Sequence, residues 1–142
     1  MTDVKSEAYF LSRTILIPHD EKINRGGEDS AHVCDTLIAV ADGVGGWANS
    51  GVNPGLFSKM FTREIRDRHI ENPKLSTREL TIGAHKAAAS AFQGSATSVT
   101  LKIEDANVIS TTNIGDSGYA LYHVVNKEDG GLKLEQYFRS KE

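Results

Sequence analysis

The sequence predicts an α+β fold, with helices laid on antiparallel sheet rather than alternating with parallel strands. Three observations predict it. Two apolar, partly β-branched runs stand close together in the first third of the chain. Two capped helical patterns follow them. After Gly94 the apolar period changes from the helical one to two, and further short strands follow. Strands grouped apart from helices argue for α+β.

The elements are justified in order. Residues 8–17 are apolar and β-branched in part, ending at Pro18, and predict a strand. Residues 19–27 are polar and end in glycine, which predicts a loop. Residues 31–33 and 36–41 predict a hairpin turning near Cys34-Asp35. Its second strand is almost continuously apolar, as for a strand covered on both faces. Asn53-Pro54 opens a helix, because Asn caps well and Pro suits the first helical position. Phe57, Phe61 and Ile65, with Met60 beside them, form its apolar face. Arg63, Arg66, Asp67 and Arg68 take the other face, and Asn72-Pro73 ends the helix. A second helix begins at the capping box Ser76-x-x-Glu79. Leu80, Ala84, Ala87, Ala88, Ala91 and Phe92 are its expected buried stripe, with Gly94 as the stop. Val99, Leu101 and Ile103 alternate with Thr100 and Lys102 and predict a half-buried strand. Residues 107–112, 119–125 and 132–138 predict three more strands, the last two joined by a turn at Glu128-Asp129-Gly130-Gly131.

Bulk properties exclude several classes. The 142 residues suit one ordinary domain, with 39% hydrophobic and 25% charged residues. Net charge is −3, from 16 basic and 19 acidic residues in no long blocks, so there is no basic face for nucleic acid. The longest apolar stretch, residues 36–44, is far short of the roughly 20 residues of a membrane span. A single cysteine, Cys34, rules out an internal disulfide and fits a reducing, intracellular setting, cytoplasmic or organellar. Position 40 is valine, so Cys34 heads no cysteine-phosphatase loop. The five histidines are scattered, which argues against zinc. Met1-Thr2-Asp3-Val4-Lys5 reads as neither signal nor transit peptide. No Walker A lysine follows a glycine loop, and Ala48 stands where a dinucleotide fingerprint needs its third glycine.

Chemistry is carried by acids beside glycines: Gly26-Gly27-Glu28-Asp29, then Ala41-Asp42-Gly43-Val44-Gly45-Gly46-Trp47, then Asn113-Ile114-Gly115-Asp116-Ser117-Gly118. Taken singly, each also fits a solvated charge pair or a tight turn. Position joins the first two, because the start of one hairpin strand lies beside the end of the other. Glu28, Asp29 and Asp42 are therefore expected at one sheet edge. Two carboxylates about 4 Å apart repel by roughly 4 kcal/mol at an effective dielectric near 20. Gathering them calls for a cation, a raised pKa or a basic partner. Hard divalent ions such as Mg²⁺ and Mn²⁺ take oxygen ligands, and Gly43 would let its carbonyl approach one. Arg25 is a candidate phosphate clamp, since guanidinium binds phosphate oxygens bidentately. Trp47 is expected to be a core or rim aromatic.

In combination these motifs resemble the metal-dependent protein serine/threonine phosphatases, the PP2C or PPM family. The matching residues are Gly27-Glu28-Asp29, Val40 through Trp47, Gly94-Ser95-Ala96-Thr97 and Asn113 through Gly118, in the family's order and spacing. Ile17-Pro18-His19 and Asn53-Pro54-Gly55-Leu56-Phe57-Ser58 resemble the branch that includes mitochondrial PP2C-type enzymes and several plant relatives. The resemblance implies an αββα sandwich, two antiparallel sheets flanked by helices. It implies hydrolysis of phosphoserine and phosphothreonine in protein substrates by water activated between two Mg²⁺ or Mn²⁺ ions, without a protein nucleophile. It implies that Asp42 bridges the ions, that the Gly43 carbonyl binds one, that Glu28 and Asp29 hold its shell, and that Asp116 approaches a third ion. Val44 replaces the histidine that many members carry as leaving-group acid, and Arg25 sits one position off the usual phosphate-binding arginine. Residues 8–142 are expected to be the N-terminal half to two-thirds of such a domain, with 1–7 disordered and two further metal-ligand aspartates beyond Glu142. Little turnover is expected of these residues alone. Two other readings remain open: a non-catalytic pseudophosphatase or phosphoprotein-binding module, and, fitting Trp47 and Asn53-Pro54 less well, a bacterial anti-sigma type phosphatase of the same fold. Oligomeric state is left undetermined by the sequence.

Overall fold

The computed structural model describes residues 11–105 and 108–141. The expected disorder of residues 1–7, and the parts of the expected strands at 8–10 and 107, lie outside the described residues. Two strands, β1 (Asp29–Cys34) and β2 (Leu37–Asp42), form the expected hairpin. The helices α1 (Pro54–Glu71) and α2 (Thr77–Ala91) follow, then β3 (Ser98–Asp105), β4 (Val108–Ile114), β5 (Ala120–Asn126) and β6 (Leu132–Arg139). Strands β1 to β4 make one antiparallel sheet in sequence order, and β5 and β6 pair as a separate hairpin. The architecture is thus α+β, with antiparallel sheets and helices on one face of the larger one.

Both helices start where local chemistry says they should. Asn53 Oδ1 accepts from Gly55 N at 3.0 Å, with Pro54 in the first turn of α1. Ser76 and Glu79 close a reciprocal capping box on α2, and Ser76 donors hold the Glu79 carboxyl below its usual pKa. The helices cover one face of β2. Leu37, Ala39 and Ala41 are fully buried against Phe57, Phe61 and Ile65 of α1 and Leu80, Ala84 and Ala88 of α2. Each large side chain there contributes about 1.5–3 kcal/mol. The stripe on α2 is narrower than expected, with Ala87 half-buried and Ala91 exposed. The helix ends at Ala91, before Gly94, because Phe92 is already extended. Gly94 instead permits a close approach: at its φ of +153°, an added Cβ would lie 2.9 Å from Phe57 Cβ.

The structure decides which side of β3 meets the helices. Its helix-facing side is the polar one, with Ser98, Thr100 and Lys102 buried. Register decides this. Thr100 pairs with Ala39 and Lys102 with Leu37, and directly opposed residues share a face. Thr100 Oγ1 lies 3.2 Å from Thr81 Oγ1. Lys102 Nζ donates to Leu75 O at 3.0 Å and pairs with Glu104 at 2.8 Å. The apolar set, Val99, Leu101 and Ile103, joins Val40 and Ile38 on the opposite face. Ile38 and Val40 are only half-buried, so β2 is fully covered on one side rather than two. The β5–β6 hairpin is tied to the first sheet by Tyr119 OH and Thr111 Oγ1, 2.7 Å apart.

Two N-terminal expectations also change. Residues 11–17 form no strand, and Leu11, Ile15 and Ile17 are largely exposed. An apolar run has no ladder to join without a neighbouring strand, and among the described residues none pairs with it. Within the expected loop, Asp20–Arg25 winds as a 3-10 segment closed by Gly26, and Gly45–Ser50 winds likewise after β2.

His69, 5% exposed near the end of α1, places Nε2 3.1 Å from Thr36 Oγ1 and leaves Nδ1 without a hydrogen-bond partner. Burial first, and the Lys102 charge second, lower its pKa from 6.5. A base with a depressed folded pKa supplies stability above its unfolded value and loses it as pH falls through the folded one. Stability should therefore decline as the pH drops below about 6.5, and His69→Gln should flatten that decline. Urea midpoints of both proteins at about pH 7.5 and about pH 5.5 check this.

Candidate metal centre

The hairpin register sets the site. Asp29, the first residue of β1, lies directly opposite Asp42, the last of β2, as the spacing predicted. Glu28 immediately precedes that pair. The ladder runs one step further, with Gly43 N donating to Glu28 O at 3.1 Å. Gly43 is wedged between two backbones: an added Cβ would fall 2.7 Å from Glu28 O and 2.9 Å from Pro54 O. No larger residue could keep Asp42 this close to the Glu28 strand.

The remaining motifs lock the other side of Asp42. Thr97 N donates to Asp42 O at 2.8 Å, and Val44 N donates to Ser95 O at 3.0 Å. Asp42 N in turn donates to Thr97 Oγ1 at 3.3 Å, and that hydroxyl also meets Ser117 Oγ. The Gly94-Ser95-Ala96-Thr97 segment thus ties Asp42 to the loop that carries Asp116. Trp47, half-buried, donates from Nε1 to Ser95 Oγ at 2.9 Å, so it anchors the turn after Asp42.

Electrostatics report the gathering of acids. The Asp42 carboxyl has a raised pKa, first because of desolvation, then because of a hydrogen bond with Asp29 and the charges of Asp29, Asp116 and Glu28. The other three sequence-predicted acids therefore all bear on Asp42. Lys22, which no motif singled out, supplies the compensating charge. Its ammonium forms an ion pair and hydrogen bond with Glu28, and that bond raises its pKa, with Glu28, Asp29 and Asp42 charges adding. Lys22 lies six residues before Glu28, outside every recognisable motif. Arg25 lines a surface pocket with Ala48, Gly51, Val52 and Asn53.

In donor type the residues fit a hard cation. They offer oxygen donors only, the carboxylates of Glu28, Asp29, Asp42 and Asp116 with the backbone carbonyl of Gly43. In arrangement they fall short of a ready cage, since among the described residues no three acidic, histidine or cysteine side chains converge as ligands. The difference is local: Glu28 is engaged by Lys22.

No family profile matches the chain. It is 37% identical over 114 residues to probable protein phosphatase 2C 80 of Arabidopsis thaliana, covering 78% of this chain and 27% of that protein. It is 37% identical over 122 residues to probable protein phosphatase 2C 1 of Oryza sativa subsp. japonica, covering 80% of this chain and 35% of that protein. Its fold matches the X-ray structure of the photosystem II phosphatase PBCP with a TM-score of 0.68 at 30% identity, over 89% of this chain and 47% of that one. The chain thus spans between 27% and 35% of the length of the two plant relatives. Motif order, sequence identity and fold agree, and the chain belongs to the PP2C (PPM) family.

Proposed function

We propose that this chain carries part of the active site of a metal-dependent protein serine/threonine phosphatase, with Glu28, Asp29, Asp42, the Gly43 carbonyl and Asp116 as its share of the ligands for Mg²⁺ or Mn²⁺. The observation that carries the reading is the pairing of Asp29 with Asp42, with Glu28 and Asp116 close enough to raise the Asp42 pKa. When bound, two such ions would lower the pKa of a water and neutralise phosphoryl oxygens. The chain's own residues do the rest. Asp42, held on both sides by backbone hydrogen bonds, fixes the centre. Asp29 and Glu28 complete its near side. Asp116, whose loop is tied in through Ser117 and Thr97, would help to hold a further ion. Val44 offers no proton to the leaving alkoxide, so that proton comes from water or another residue. Arg25 remains the proposed contact to the substrate phosphate.

The test is phosphate release from a phosphothreonine peptide by the full-length gene product during a Mn²⁺ titration. Release that rises with Mn²⁺ and vanishes with chelator is expected. Residues 1–142 alone should bind Mn²⁺ weakly and turn over little. The engagement of Glu28 by Lys22 favours one alternative, a non-catalytic phosphoprotein-binding module. Peptide binding without release at any Mn²⁺ concentration would put that module in the enzyme's place.

A further inference from the structure

Lys22 is the charged group within the acidic centre that the phosphatase reading leaves without a role. Its backbone is fixed, because Gly27 N donates to Lys22 O at 3.2 Å and closes the 3-10 segment behind it. Its side chain is not fixed in the same way. It is 42% exposed, whereas that of Glu28 is 15% exposed. The ammonium can therefore leave toward solvent while the carboxylate stays. It also stands over the turn after Asp42, with Nζ 3.5 Å from where a Cβ on Gly45 would be. Arg25, on the same segment, lines another pocket. An ammonium and a divalent ion cannot both neutralise one Glu28 carboxylate, since like charges at contact distance repel.

We propose that Lys22 is the resident counter-cation of the acidic centre, which a divalent ion must displace from Glu28, so that Lys22 sets how tightly the centre takes metal. This rests on the metal-centre reading above. In the absence of metal, the lysine holds Glu28 in place and limits repulsion among the acids. On loading, it swings out and leaves the Glu28 oxygens to the ion. The contact raises the metal concentration at which the site fills, and it does so without touching the ligands' identity.

Mn²⁺ binding, read from the free-ion electron paramagnetic resonance signal, tests this without any activity assay. Lys22→Gln should tighten Mn²⁺ binding about tenfold, the scale of one charge-assisted hydrogen bond. Lys22→Arg, which keeps the cation, should stay near wild type and guards against a folding artefact. Lys86→Gln, on the exposed side of α2, should change nothing and controls for net charge. In the wild type, Mg²⁺ should shift the side-chain NMR resonances of Lys22. Wild-type binding that Lys22→Gln leaves unchanged or weakens overturns the counter-cation while the metal centre stands. Equal tightening by Lys86→Gln overturns it as well, as does a Lys22 resonance that stays fixed through the Mg²⁺ titration. No Mn²⁺ binding by any of these proteins overturns the metal-centre reading and this inference with it.

Discussion

Asp42→Asn should reduce metal-dependent turnover of the full-length protein to background and weaken Mn²⁺ binding by more than about 100-fold. Outer-shell changes alone cost metal sites about 10–100-fold, and Asp42 is the point on which the other three acids act. The same substitution should stabilise the metal-free protein. The Asp42 pKa is raised above its ordinary 3.8, by desolvation first and by its acidic neighbours next. An acid with a raised folded pKa favours the fold while protonated, below its unfolded value, and that contribution is lost as pH rises through the folded value. At neutral pH the ionised group therefore works against the fold, and asparagine of the same shape removes the penalty. Thermal melts in chelator should show a higher midpoint for Asp42→Asn than for wild type, and the rise that Mn²⁺ gives the wild type should disappear. A variant that is both less stable without metal and still stabilised by Mn²⁺ would place the centre elsewhere.

Phe57→Ala should cost about 3–5 kcal/mol, a large share of the roughly 5–15 kcal/mol that stabilises an ordinary domain. The side chain is 1% exposed, with its ring centroid 6.0 Å from those of both Phe61 and His85. Truncation would open a cavity where the two helices meet β2. It would also remove the surface on which Gly94 rests, and Gly94 begins the segment whose Thr97 grips Asp42. Urea unfolding measures the first effect. A weaker affinity for Mn²⁺ under conditions where the variant remains folded measures the second. Stability within about 1 kcal/mol of wild type would mean that the neighbouring chains collapse into the space.

What could be read from the sequence followed from how local each determinant is. The caps of α1 and α2 are decided within four residues, so Asn53-Pro54 and Ser76-x-x-Glu79 announced them. The pairing of Asp29 with Asp42 was legible because a short turn leaves a hairpin little freedom of register. Which side of β3 faces the helices was not legible. That depends on its partner β2, more than fifty residues away, and alternation alone names no side. The run at 11–17 misled for the same reason, because an apolar stretch does not state whether a neighbour will pair with it. Lys22 escaped notice because a lysine in a polar segment looks like any solvated charge until the fold brings Glu28 to it.

One threonine hydroxyl touches both the amide of Asp42 and the side chain of Ser117. It works as a shared hinge pin: the strand end and the Asp116 loop cannot drift apart without breaking it. Displacement of either one is therefore passed to the other through a single side chain.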